Sequence, residues 1–219
     1  INNMTIRIYR MCSGARGLSD HHFDRVHELF DSEGNPNGFI DLIDYDGIRL
    51  YDKIQQHLRR QIVIDTIDDF AEKGYDNILL SGLSAGGFLS FYLTAHFPDK
   101  IDGAIIFNPA AYGGKLRQDY APRQVLRDYW EKEMSKFSEI NSLLFIHDDD
   151  GWEDSMTLSF LIEMNKVRTI NYTNFGCEPP FNNKYGAHIF PIYPEKDSCF
   201  TKWEAKNNYI ISYLESLFN

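Results

Sequence analysis

The chain alternates short apolar runs with longer stretches in which apolar residues recur every three or four positions. "TIRIYRM" (5–11) predicts a strand, followed by the glycine-containing loop "CSGARGLSD". "HHFDRVHELF" (21–30) has helical spacing, "GNPNG" (34–38) is a turn signal, and "FIDLIDY" (39–45) predicts a second strand. Over 53–73, Ile54, Leu58, Ile62, Ile64, Ile67, Phe70 and Ala71 form a broad helical stripe that ends at Gly74. "NILLSG" (77–82), "IDGAIIFNP" (101–109), "SLLFIH" (142–147) and "RTINYTNF" (168–175) predict further strands. Helices are expected over 85–96, 119–139, 154–166 and 203–218, with Asp154 capping the third of these. Such alternation predicts an α/β fold, a mostly parallel sheet with right-handed crossovers and helices on both faces. Ligands of such sheets sit at the carboxyl ends of the strands.

Composition narrows the function classes. A chain of 219 residues predicts one domain, 1–219, whose core needs no covalent staple. The formal net charge of -10 argues against nucleic acid or an anionic membrane surface as the main partner. No apolar run reaches about 18 residues, so no membrane-spanning helix is expected, and no signal-peptide pattern is present. The chain begins "INNMTIRIYRM", almost directly on a strand, which leaves open a trimmed N-terminus and a lost export signal. Cys12, Cys177 and Cys199 are odd in number and lack metal-site spacing. Free thiols in a reducing compartment, the cytoplasm, are therefore expected, with a Cys177–Cys199 disulfide as the alternative.

The stretch Gly82-Leu83-Ser84-Ala85-Gly86 fits the pattern G-x-S-x-G. The pattern alone is moderately specific, and its context sharpens it: the apolar run "ILLS" precedes it and "AGGFLSFYLTAHF" follows it. Strand, serine and helix in immediate succession describe a nucleophile elbow. A turn that abrupt forces the serine into a strained backbone conformation. Glycines two residues to either side avoid clashes there, and Gly87 lets the helix approach the sheet. The hydroxyl is then held at the sheet edge, near the positive end of a helix. The simpler alternative is a glycine turn packing a helix on a strand, with Ser84 as an ordinary cap. A serine hydroxyl is a poor nucleophile until a base takes its proton, so a histidine must come within reach.

On these residues and their order the chain resembles the α/β-hydrolase superfamily, in which a catalytic triad runs Ser, acid, His along the chain. The resemblance implies an acid a few residues past a late strand, before a short turn and a helix. "LLFIHDDDGWEDS" offers several carboxylates; Asp150 fits best, with "GWE" as the turn, and Asp149 is the alternative acid. The implied base follows the last strand, where "NKYGAHIFPIYP" carries His188; the span from 150 to 188 has room for one helix, one strand and a loop. His21, His22 and His27 lie too early, His57 and His96 fall in helices, and His147 ends a strand. The implied oxyanion hole takes one amide from Ala85 and a second from the loop after an early strand. Relatives often read H-G-x-x-G there; this chain reads "SGARG", which makes Ala15 the second donor and Arg16 the fallback.

The resemblance implies a serine esterase or thioesterase that forms an acyl-enzyme on a small-molecule or glycan acyl substrate, without a metal or cofactor. Two alternatives remain. "GLSAGG", "FNPAAYGGK" and "DDDGWED" are similar to segments of small hydrolase-fold acetyltransferases that modify sugar hydroxyls, and a non-catalytic binding protein on the same fold is the third reading. Relatives insert a lid after the strand "AIIFNP", so a small cap is expected at 110–140. Tyr112, Tyr120, Trp130, Trp152 and Tyr185 are candidate pocket residues, each more simply read as packing. Lys115, Arg117, Arg123 and Arg16 are more simply a solvated face than an anion site. The chain also departs from the superfamily pattern. It starts at what corresponds to the third strand, so the N-terminal strands are reduced, and Arg7 and Arg10 interrupt a strand that should be apolar if central. Either that strand lies nearer an edge, or one arginine points into the site.

Overall fold

The computed structural model describes residues 6–11, 40–45, 53–75, 77–110, 122–175, 187–188 and 200–218. The strands are β1 (Ile6–Met11), β2 (Ile40–Tyr45), β3 (Asn77–Leu83), β4 (Gly103–Phe107), β5 (Glu139–Ile146) and β6 (Asn165–Asn171). The α-helices are α1 (Lys53–Glu72), α2 (Ala85–His96), α3 (Pro122–Met134), the single turn α4 (Ser159–Ile162) and α5 (Phe200–Phe218). The six strands form one sheet in the order β2-β1-β3-β4-β5-β6, every neighbouring pair parallel. The chain winds one way to β2 and the other way from β3 onward, so strand order reverses between β1 and β3. That reversal opens a crevice at the carboxyl end of β3, where Ser84 sits.

Alternation along the strands explains why two layers of helix are needed. Ile78 and Leu80 of β3, Ala104 and Ile106 of β4, and Leu144 and Ile146 of β5 join one core with Val63, Ile67 and Phe70 of α1 and Phe88, Leu89 and Phe91 of α2. The intervening Leu79, Leu83, Ile105, Phe107, Leu143 and Phe145 are equally buried on the other face. There Phe107 and Phe145 stack with ring centroids 4.9 Å apart. From α5, Ile210, Tyr213 and Leu214 are buried, and the Tyr213 hydroxyl accepts a hydrogen bond from the Ala104 amide. Each such side chain contributes about 1.5–3 kcal/mol of burial free energy, which is why β3 and β4 are apolar along nearly their whole length.

Several boundaries differ from the sequence expectation. The stripe of α1 runs through Val63, Ile64, Ile67 and Phe70, and Ala71 is exposed. The helix ends at Glu72, and Gly74 two residues beyond (φ 86°) takes a left-handed conformation suited to glycine. Helix α3 is described over Pro122–Met134 and ends before the expected 139. β5 and β6 each begin three residues earlier than expected, Glu139 pairing with Asn165. The helix expected over 154–166 shrinks to α4. Asp154 Oδ1 accepts from the Thr157 amide and Thr157 Oγ1 from the Asp154 amide, each at 2.8 Å. This reciprocal pair is an N-terminal capping box, with Asp154 as the expected cap and Leu158 N bonding Asp154 O at 2.9 Å; the helical stretch stays short because the edge of β5 recruits residues from 165 onward. The helix at 21–30, the turn at 34–38 and all three cysteines lie outside the described residues. Among the described strands β1 is one in from the edge, which accords with the reading that a strand carrying Arg7 and Arg10 lies nearer an edge.

The segment expected as a cap is described from Pro122 onward. Trp130 and Met134 of α3 are buried against the core, the indole packing edge-on to Phe88 and Phe160 at 4.7 and 5.2 Å. Arg127 of α3 bonds the Thr157 carbonyl at 2.5 Å and the carboxylate of Glu153 at 3.1 Å. The Glu153 side chain is fully buried and that of Arg127 nearly so (0% and 12% exposed), so removing one partner strands a charge in low dielectric. Arg127→Leu is expected to lose about 3–5 kcal/mol in urea unfolding, and the double variant Arg127→Leu/Glu153→Met to recover most of it.

Candidate active site

The last residue of β3 is Leu83 and the first of α2 is Ala85, so Ser84 alone makes the turn. Its backbone lies at φ 56°, ψ -120°, a conformation that costs a non-glycine residue about 1–3 kcal/mol. Three main-chain hydrogen bonds hold it there. Its amide donates to Phe107 O at 3.0 Å, and its carbonyl accepts from Phe88 N at 2.9 Å and Ala110 N at 3.0 Å. A Cβ on Gly82 would lie 2.3 Å from the Gly86 carbonyl carbon, and one on Gly87 3.1 Å from Phe107 O. The elbow therefore closes only with a bare Cα at 82.

Ser84 occupies the N-cap position of α2, yet its side chain makes no capping hydrogen bond. Instead Oγ lies 2.8 Å from His188 Nε2, and His188 Nδ1 lies 2.7 Å from Asp150 Oδ2. His188 and Asp150 are buried, at 5% and 2% exposure, whereas Ser84 is half-buried. A carboxylate only accepts, so the ring proton is assigned to Nδ1, which leaves Nε2 to accept from the serine hydroxyl. The second carboxylate oxygen of Asp150 accepts from the Trp152 amide at 2.7 Å. The Trp152 indole stacks on the His188 ring, with centroids 4.2 Å apart and planes 27° from parallel.

The neighbouring acids point elsewhere. Asp149 is exposed, its carboxylate 3.9 Å from His147 Nδ1. Asp148 accepts from Asn171 Nδ2 at 2.8 Å. His147 is buried, and desolvation lowers its pKa against the opposing pull of Asp149, Asp150 and Asp148. It accepts the Asp149 amide on Nδ1 at 3.1 Å, as a neutral imidazole does. The Asp150 amide donates back to the His147 carbonyl at 3.0 Å. This turn directs the third carboxylate of the run inward.

The amide of Ala85 opens α2, where the first turn of a helix has no intrahelical acceptor for its N–H groups. Ala15, Arg16, Tyr112, Tyr120, Tyr185, Lys115 and Arg117 lie outside the described residues. Among the described residues no cluster of three His, Cys, Asp or Glu side chains could hold a metal ion, and no helix is long and apolar enough to cross a membrane. Asn108, one residue past β4, was not among the residues singled out in the sequence. It is buried, and the two hydrogens of its Nδ2 are shared among three acceptors, the carbonyls of Ala187 at 3.1 Å and His188 at 2.9 Å and the Tyr172 hydroxyl. The signal that could have found it is a polar side chain directly after the wholly buried run "GAIIF".

No protein-family model matches the chain, and no curated protein matches it significantly. Solved structures do. An esterase of Pyrococcus furiosus, Pf2001, superposes with a TM-score of 0.60 at 13% identity, over 98% of this chain and 84% of that one. Est1E from Butyrivibrio proteoclasticus gives 0.57 at 16% identity, over 97% and 89%, and has also been solved with ferulic acid bound. A structure belonging to LipS and LipT, two metagenome-derived lipolytic enzymes, gives 0.57 at 11% identity, over 97% and 94%. At these identities the likeness establishes the fold, and the chain has the α/β-hydrolase fold.

Proposed function

We propose that the protein is a serine hydrolase that cleaves an ester or thioester through an acyl-enzyme. The observation that carries this reading is the continuous hydrogen-bonded chain Ser84 Oγ–His188–Asp150 at the mouth of a strained elbow. In the first half-reaction His188 Nε2 takes the hydroxyl proton as Ser84 Oγ bonds to the acyl carbon. Asp150 holds the imidazole tautomer and stabilises the imidazolium that forms. The Ala85 amide, with Ala15 as second donor, stabilises the tetrahedral oxyanion. The proton on Nε2 then passes to the leaving alcohol or thiol as the carbon–heteroatom bond breaks. Water, deprotonated by the same nitrogen, releases the acid and returns the proton to Ser84.

Esterase and lipolytic activity among proteins of this shape adds support for the acyl substrate. No step requires a metal. The test is covalent. A fluorophosphonate probe is expected to label the wild-type chain at Ser84, located by peptide mass spectrometry, and activated acyl esters to protect against it. Absence of an adduct on residue 84 would sink the proposal. Hydrolysis and acyl transfer share this first half-reaction, so products are compared with and without an added alcohol acceptor.

A further inference from the structure

We propose that Asn108 is a positioning residue that holds the main chain of the His188 segment so that one imidazole meets both Ser84 and Asp150. This rests on the reading of His188 as the base. The dipeptide Phe107–Asn108 touches all three limbs of the site. Phe107 O accepts from the Ser84 amide at 3.0 Å, and Asn108 N donates to Phe145 O of β5, the strand that leads to the acid loop, at 2.9 Å. The Asn108 side chain bonds two successive carbonyls, Ala187 O and His188 O. Only a donor can serve two carbonyl oxygens, which settles the orientation of the amide.

Tyr172 completes the clamp. Its hydroxyl accepts from Asn108 Nδ2 and donates to Ala187 O at 3.3 Å. The ring is fully buried, and burial pushes the phenol well above its ordinary pKa, so it remains a donor. Two costs are borne at position 108. The backbone lies at φ 40°, in the left-handed region, and Oδ1 is buried without a hydrogen-bond partner among the described residues. Asparagine tolerates the first better than most residues do, and local costs of this kind concentrate at functional sites. The position trades them for a fixed link between the sheet and the base.

Asn108→Asp is the decisive variant, because it keeps the size and replaces the donor with an acceptor facing two carbonyls. Four quantities are read: kcat and KM for p-nitrophenyl acetate, the fluorophosphonate labelling rate at Ser84, and the downfield proton signal of His188 Nδ1–H. Displacing the base by about 1 Å should lower kcat and the labelling rate about 100-fold. KM should stay within about twofold, and the Nδ1 proton signal should vanish while far-UV circular dichroism is unchanged. Rates and proton signal like those of the wild type would overturn the proposal. If the aspartate variant does not fold, Tyr172→Phe removes one hydroxyl from the same clamp. A slower labelling rate with a broadened Nδ1 signal then supports the proposal, and unchanged values overturn it. A wild-type chain that resists the probe but shows an Nδ1 signal that Asn108→Asp abolishes would overturn the serine-hydrolase reading and leave the clamp standing.

Discussion

Ser84→Ala is expected to lower kcat for acyl-ester hydrolysis by about a million-fold and to leave KM within a small factor of the wild-type value. In the proposed mechanism the hydroxyl supplies the bond-forming atom, and its hydrogen bond to His188 Nε2 is the path by which its proton leaves. Alanine removes both and leaves the Ala85 amide and the rest of the binding site in place. What remains is the residual catalysis of a site that can still polarise a carbonyl, of order 10³–10⁴ over water. The elbow itself survives, because its three main-chain hydrogen bonds involve no side-chain atom of Ser84. Steady-state kinetics beside a melting curve check this. Activity within about tenfold of wild type in a folded Ser84→Ala variant would remove the serine from the mechanism.

The second large effect separates two adjacent carboxylates. Asp150→Asn is expected to reduce kcat about 10⁴-fold, and Asp149→Asn to leave it within about twofold. The asparagine amide would present its NH₂ to His188 Nδ1 and drive the ring proton onto Nε2. There it blocks acceptance of the serine proton. Asp149 makes no such contact; its carboxylate is 74% exposed and 3.9 Å from the buried His147. A loss in Asp149→Asn as large as that in Asp150→Asn would mean that the loop carries the acid differently from the hydrogen bonding described above.

The elements of β3, the elbow and α2 were legible in the sequence because every local signal there agrees. The run "NILL" is apolar without interruption, the glycines stand where a one-residue turn requires them, and "FLSFYL" carries the helical spacing into the core. Local agreement failed at 154–166, where Asp154 caps a helical start with Thr157 but the edge of β5 captures the residues from 165 onward. Propensity does not register a strand edge contributed by residues twenty or more positions away. The early starts of β5 and β6 have the same origin, since Glu139 and Asn165 are polar residues made into strand by pairing with each other.

The sequence by itself determined the order of the candidate site: a serine at a strand–helix turn, a run of acids after a later strand, and a histidine beyond them. It determined the parallel α/β architecture too, because alternating periods of two and of three to four leave few other ways to bury the apolar faces. Only the tertiary structure decided which of three successive aspartates turns inward. The local turn through the His147 carbonyl and the Trp152 amide presents the carboxylate, but the group it meets is His188 Nδ1, 2.7 Å away and 38 residues along the chain. Only the tertiary structure brought Asn108 and Tyr172 to the carbonyls of Ala187 and His188. Asn108 and His188 lie 80 residues apart, and hydrogen bonds across such a span exist only after the sheet has assembled the ends of its strands at one edge.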